Sequence, residues 1–156
     1  MRIKFWGSRG SIPIPDSRMI KYGGNTACVE VHLDDRIFIL DSGTGIRKLG
    51  EQFKESKNLD VDIFITHSHW DHIQGIPFFT PAFIQENKVT FYGEAKGGMS
   101  LKEILEAQMV SPNFPVPLSI MRSEMSFIEL EQRAQFMMGE LAAQTAPMNH
   151  PNGCLG

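Results

Sequence analysis

Three imidazoles and a carboxylate, His67, His69, Asp71 and His72, fall within one short stretch directly after the apolar run 61–65. No other part of the chain constrains fold and chemistry as tightly. The run Val61, Asp62, Ile63, Phe64 and Ile65 is short, β-branched and aromatic, the composition of a strand buried on both faces. It places the histidines at a strand's carboxyl end, where a rigid sheet fixes side chains while the following loop opens to solvent. His67 and His69 are two positions apart, so in extended backbone their rings point the same way and can share one ion. Asp71 and His72 follow where the chain turns and can face a second ion. Imidazole with carboxylate suits zinc, manganese or iron, whereas calcium takes oxygen alone. The competing reading, solvated polar residues in an ordinary strand-to-helix loop, rarely produces such density.

The pattern His-x-His-x-Asp-His, complete over residues 67–72, resembles the signature of the metallo-β-lactamase-fold hydrolases, and the resemblance extends over nearly the whole chain. It implies an α+β fold, an αββα sandwich built from mixed sheet with flanking helices. Residues 1–156 are then one domain holding mainly the N-terminal half of that sandwich.

Composition agrees with a single globular domain: 156 residues, 42% apolar and 21% charged. A net charge of −3 without any Lys/Arg cluster argues against a broad nucleic-acid surface or a membrane-binding one, and favours a small substrate. Cys28 and Cys154 lie outside any paired spacing and read as packing residues. No stretch reaches membrane-spanning length and no apolar leader opens the chain, so the expected location is cytoplasmic.

Residues 2–6 alternate, with Ile3 and Phe5 on one face, which predicts a half-buried first strand. Gly7, Ser8, Arg9, Gly10 and Ser11 then offer backbone N–H groups and one cation, either as an anion-receiving loop or as a surface turn. After a turn at 22–26, Ala27, Val29, Val31 and Leu33 alternate with Cys28, Glu30 and His32. The polar side of that strand, His32 included, is expected to meet solvent, which leaves His32 outside the metal site. Residues 36–40 predict a central strand ended by Asp41. Asp41 either caps the helix carrying Ile46, Leu49 and Phe53 or accepts a hydrogen bond from the histidine cluster, and the two are compatible.

Beyond the cluster, residues 73–79 predict a short helical segment with Phe78 and Phe79 in the core. Residues 88–92 form the next strand. Ser100 and Glu103 make a capping box for an amphipathic helix of about ten residues. Pro112, Pro115 and Pro117 stiffen a loop around Phe114, which either packs or walls the metal site. Three strands, 125–130, 134–138 and 141–145, lead to Asn149, His150 and Pro151.

A lone histidine is usually a surface residue. A catalytic zinc, however, takes three protein ligands plus water, and His150 is the histidine left to join His67 and His69. The resemblance supports this, since the family sets its next ligand between Asn and Pro. It also implies that Asp41 steadies the cluster, and that Ser8, Arg9, Asn25 and Phe114 correspond to loops that contact substrate in phosphodiesterase-like members. The family's bridging aspartate and last histidine lie further downstream, and residues 151–156 hold neither. We therefore expect one tight ion, Zn2+ or Mn2+/Fe2+, on His67, His69 and His150. A second ion, present in a complete enzyme, is weak or absent on Asp71 and His72. The sheet face that a half sandwich leaves uncovered favours a homodimer.

The implied function is metal-dependent hydrolysis of a small or cyclic phosphodiester by a metal-activated hydroxide, with Asp71 as the catalytic residue that orients it. Lactam or thioester hydrolysis and a catalytically silent metal-binding domain are the rivals. RNA 3′-end processing is disfavoured because no basic arm is visible.

Overall fold

The computed structural model describes residues 1–156. Six strands lie side by side in chain order: β1 (Arg2–Gly7), β2 (Cys28–Leu33), β3 (Arg36–Leu40), β4 (Asp60–Phe64), β5 (Lys88–Gly93) and β6 (Glu124–Glu129). β1 to β3 are antiparallel, and β3 to β6 run parallel. Antiparallel neighbours need only a tight link, and Asp34, at φ 53°, supplies the left-handed residue between β2 and β3. Parallel neighbours need crossovers, which carry α1 (Gly45–Gln52), α2 (Trp70–Ile73) and α3 (Leu101–Ala107).

Strand alternation sorts the apolar side chains between two faces. Cys28, Ile39, Val61, Ile63, Val89 and Phe91 point to the helical side, where they pack with Ile46, Leu49, Phe79, Leu101 and Leu105 into the main core. Phe38 and Tyr92 point the other way and form a smaller cluster with Leu130, Met138 and Leu155. The hairpin of β7 (Gln135–Met138) and β8 (Leu141–Gln144) covers that cluster. Arg36 ties the hairpin to the sheet by donating to the Met138 carbonyl and to Asp62 Oδ2 at 2.6 Å. This is the mixed sheet with flanking helices that the α+β expectation described.

Several local expectations are overturned. Ile3 and Phe5 are not half-buried: they point to the second face outside the hairpin and are 50% and 71% exposed. The side of β2 expected to meet solvent is the covered one, because α1 crosses it with Gly45 close against Trp6 and Cys28. Glu30 is only 1% exposed there, and it is tolerated because Trp6 Nε1 donates to it at 2.8 Å and the His32 ring bonds its other oxygen. His32 is thus half-buried and engaged with Glu30, away from the histidine cluster.

Phe79 is core, but Phe78 is 54% exposed. Phe78 closes the 3-10 turn Ile76–Phe78 on its outer side, and Phe79 leaves it in extended backbone, φ −84° and ψ 93°, so the two rings diverge. The capping box is formed in full by Ser100 and Glu103, yet α3 has seven residues rather than about ten. Pro112 lacks an N–H, and in a continued helix its ring would meet the Gln108 carbonyl.

Close backbone approach fixes the region beneath the histidines. A Cβ on Gly75 would lie 2.1 Å from the Gly43 carbonyl oxygen and 2.6 Å from Ile46 Cγ2, whereas one on Gly10 would meet nothing nearer than 3.9 Å. Gly75→Ala is therefore expected to lower unfolding free energy by about 2 kcal/mol or more, and Gly10→Ala by less than about 0.5 kcal/mol. Urea denaturation of the two variants checks this; equal midpoints would contradict the packing.

Candidate metal centre

The parallel pair β3 and β4 brings two strand carboxyl ends together, the usual place for a site in such a sheet. β3 ends at Leu40, and Asp41 turns the chain through a left-handed conformation, φ 61°, while its N–H still donates to the Phe64 carbonyl at 2.8 Å. Its carboxylate then accepts from the Thr66 N–H at 2.8 Å, from the Thr66 hydroxyl at 3.0 Å, and meets His72 Nδ1 at 2.7 Å. Asp41 does not cap α1, whose N-cap is Thr44. Burial by itself would lower the pKa of His72, but the hydrogen bond and charge of Asp41, helped by Asp71, outweigh it and raise the ring above its ordinary value.

His67 is buried. Its Nδ1 faces the Thr66 hydroxyl at 3.0 Å, and its Nε2 is buried with no hydrogen-bond partner. Burial first, then the nearby His72, His150 and His69, pushes its pKa down to about 4, so the ring is neutral at pH 7 and offers a lone pair. Ring nitrogens of His67, His69 and His150 all lie within 4.8 Å of one another, and His150 Nε2 is 3.2 Å from His69 Nδ1. Tetrahedral zinc with bonds of about 2.0–2.1 Å separates its nitrogens by roughly 3.3 Å. The orphaned Nε2 and this donor set fit such an ion.

His150 reaches the cluster on a hairpin of β9 (Pro147–Met148) and β10 (Cys154–Leu155), fastened where Leu155 N–H donates to the Thr66 carbonyl at 2.8 Å. Asp71 lies beside the three-histidine group and is not part of it. Its Oδ2 is 3.4 Å from His72 Nε2 and accepts from the Ser11 N–H at 2.8 Å.

The loop residues are placed less directly. The N–H groups of Ser8 and Arg9 both donate to the Asn25 carbonyl, and it is Ser11, through its backbone, that reaches Asp71. The Asn25 side chain serves the scaffold, accepting from the Thr44 hydroxyl at 3.2 Å, and also borders a cavity of about 620 Å3. Phe114 packs edge-on to Phe78 at 6.2 Å and, with Trp70 and Gln74, lines a second cavity of about 650 Å3 whose lining includes none of the four clustered histidines. Sequence reasoning missed Thr66, Ser11 and Asn152, whose Nδ2 is 3.4 Å from His69 Nε2. Thr66 stands next to the motif, and Ser11 lies in the 7–11 loop read as a source of backbone N–H groups without its partner Asp71, whereas Asn152 acts across a long stretch of chain with no local signal.

This sheet and this cluster define a metallo-β-lactamase-fold protein. Residues 17–154 match the family described as "Anti-Pycsar protein Apyc1", and the chain belongs to that family. Among curated proteins it is similar to ribonuclease Z of Clostridium perfringens, 27% identical over 96% of this chain and 48% of the relative. Ribonuclease Z of Thermoplasma acidophilum is 28% identical over 97% of this chain and 45% of the relative. Three solved structures share the fold, each covered over 98% of this chain. They are the metallo-β-lactamase fold protein YhfI of Bacillus subtilis (TM-score 0.66, 16% identity, 54% of that chain), a diphosphatase of the PhnP family (0.65, 17%, 59%) and human tRNase Z, short form (0.63, 16%, 62%). The chain spans about half the length of the curated relatives it matches. No helix is long and apolar enough to cross a membrane.

The depressed pKa of His67 predicts a pH dependence in protein stripped with chelator. The unfolded chain takes up this proton near pH 6.5 and the folded one only near 4. Its contribution to stability is therefore complete above about pH 6.5 and is lost as the pH falls toward 4. Urea midpoints measured between pH 7 and 4.5 should fall less steeply for His67→Asn than for the wild type; parallel profiles would contradict the assignment.

Proposed function

We propose that this chain carries the metal-binding part of a metal-dependent phosphodiesterase acting on a small or cyclic phosphodiester. The observation that carries the reading is the buried, unpartnered Nε2 of His67, which shares one space with nitrogens of His69 and His150. A buried lone pair left unmet is costly, so it marks a ligand position. The three imidazoles would hold one ion tightly, zinc or else manganese or iron, and Asp71 with His72 would offer two ligands to a weaker second. An ion bound there supplies Lewis acidity and lowers the pKa of water toward neutrality.

The protein's own groups do the rest. Asp41 holds Nδ1 of His72, which leaves Nε2 facing Asp71. The Ser11 N–H pins Asp71 Oδ2, so the carboxylate is held in one orientation and can orient the attacking water by accepting its hydrogen bond. Trp70, 64% exposed, stands between His69 and Asp71 and opens onto the cavity it shares with Phe78 and Phe114. That cavity adjoins the one lined by Arg47, Lys48 and Asp16, with Thr44 and Phe78 common to both, which gives a substrate an apolar wall and a charged rim on which Arg47 is paired with Glu51.

Names among the relatives, ribonuclease Z and diphosphatase, denote chemistry at phosphorus and support that centre over carbonyl carbon. The net charge of −3 and the lack of a Lys/Arg cluster support a small substrate over a long RNA. The test is metal analysis after gel filtration, followed by assays on bis(p-nitrophenyl) phosphate, a 3′,5′-cyclic nucleotide, a chromogenic lactam and a precursor tRNA. One tight ion per chain and phosphodiester turnover are expected, with Asp71→Asn reducing the rate about 100-fold or more. Turnover of the lactam or the tRNA alone would replace the substrate reading, and ion binding without any hydrolysis would leave a silent binding domain.

A further inference from the structure

His150 is exposed and sits at the tip of a short hairpin, held in a turn by Gly153 N–H donating to its carbonyl at 2.9 Å. The turn passes through left-handed conformations at Asn152, φ 64°, and Gly153, φ 78°. Exposed turns of this kind are the least rigid parts of a fold, whereas a metal ligand must be held within a few tenths of an ångström. On the β10 side the turn is fastened to Thr66. Asn152 Nδ2 approaches His69 Nε2 at 3.4 Å, and the backbone carbonyls of the turn are held by an ammonium.

Lys96 Nζ donates to the carbonyls of Asn152 at 2.6 Å and Gly153 at 2.8 Å, and lies 3.0 Å from Glu94 Oε2. Two of its N–H donors are thus spent on the turn that carries His150, and the Glu94 carboxylate is an ion-pair neighbour. The base of the lysine is itself rigid. Lys96 and Met99 exchange both backbone hydrogen bonds at 3.0 Å across Gly97 and Gly98, at φ 62° and 79°, the two-glycine turn in which only such residues are unstrained. The next residue, Ser100, opens the capping box of α3. Glu94 is steadied in turn by Gln132 Nε2 at 3.2 Å.

We propose that Lys96 is the positioning residue of His150: anchored on the Gly97–Gly98 turn, its ammonium clamps the 150–153 turn and presets the third imidazole against His67 and His69. A flexible cation with several donors suits this place because the two carbonyls are fixed by the backbone and need only be met by N–H groups on a positive centre. The proposal rests on reading the three histidines as a metal site, and its test needs no substrate.

Co2+ binding to the chain is measured by chelator competition and by the visible absorption of the bound ion, for wild type, Lys96→Met, Lys96→Arg, His150→Ala and the Lys96→Met/His150→Ala double variant. Circular dichroism verifies folding of each. Lys96→Met should weaken Co2+ binding about 10- to 100-fold and move the spectrum toward that of His150→Ala. On the His150→Ala background the same change should cost nothing further, and Lys96→Arg, which keeps charge and donors, should recover most of the affinity. Equal losses on both backgrounds would show general loosening and overturn the proposal, as would wild-type affinity in Lys96→Met. If Lys96→Met does not fold, the Lys96→Arg spectrum decides: full loss of the wild-type band in a folded protein whose charge and donors persist also overturns it. Absence of Co2+ binding in the wild type would overturn the metal reading itself.

Discussion

One buried carboxylate holds the candidate centre together. Asp41 leaves the end of β3 and accepts hydrogen bonds from the backbone and hydroxyl of Thr66 and from His72, tying two strand ends and the first turn of α2 into one unit. A carboxylate that is only 6% exposed is costly to desolvate, and charge-assisted hydrogen bonds of this kind are what offset the cost. The same contact works in reverse on His72, whose pKa it raises and whose ring it fixes. Thr66 passes the order along, since its hydroxyl also meets His67 Nδ1 and its carbonyl receives the Leu155 N–H.

The site is therefore assembled from three directions around one strand end. The loop after β4 delivers His67 and His69, α2 turns Asp71 and His72 alongside them, and the terminal hairpin brings His150 from 81 residues away. Parallel strands make this possible, because their carboxyl ends share one edge of the sheet and their crossovers leave that edge clear. The loop after β1 closes the remaining side through Ser11 and Asp71.

The two faces of the sheet differ in how fully they are satisfied. The helical side holds the larger core, and even a charged residue, Glu30, is accommodated there through Trp6 and His32. The opposite face is covered by the β7–β8 hairpin over Phe38 and Tyr92, while Ile3 and Phe5 on β1 stay outside its reach.

Much of this was legible in one dimension. The run 61–65, the capping box of Ser100 and Glu103, and the donor chemistry of residues 67–72 all depend on neighbours a few positions apart, where periodicity and residue type act directly. The outlying ligand His150 was legible only by counting histidines and by resemblance. What the tertiary structure alone decided was which side of β2 is covered, that Phe78 faces outward, that Ser11 reaches Asp71 and Asn152 reaches His69, and that Lys96 reaches the turn after His150. Alternation along a strand names two faces without saying which one a helix will cross, and contacts between residues 56 to 83 positions apart leave no mark on local pattern. The donors were written in the chain; their meeting point was set by the packing of the sheet.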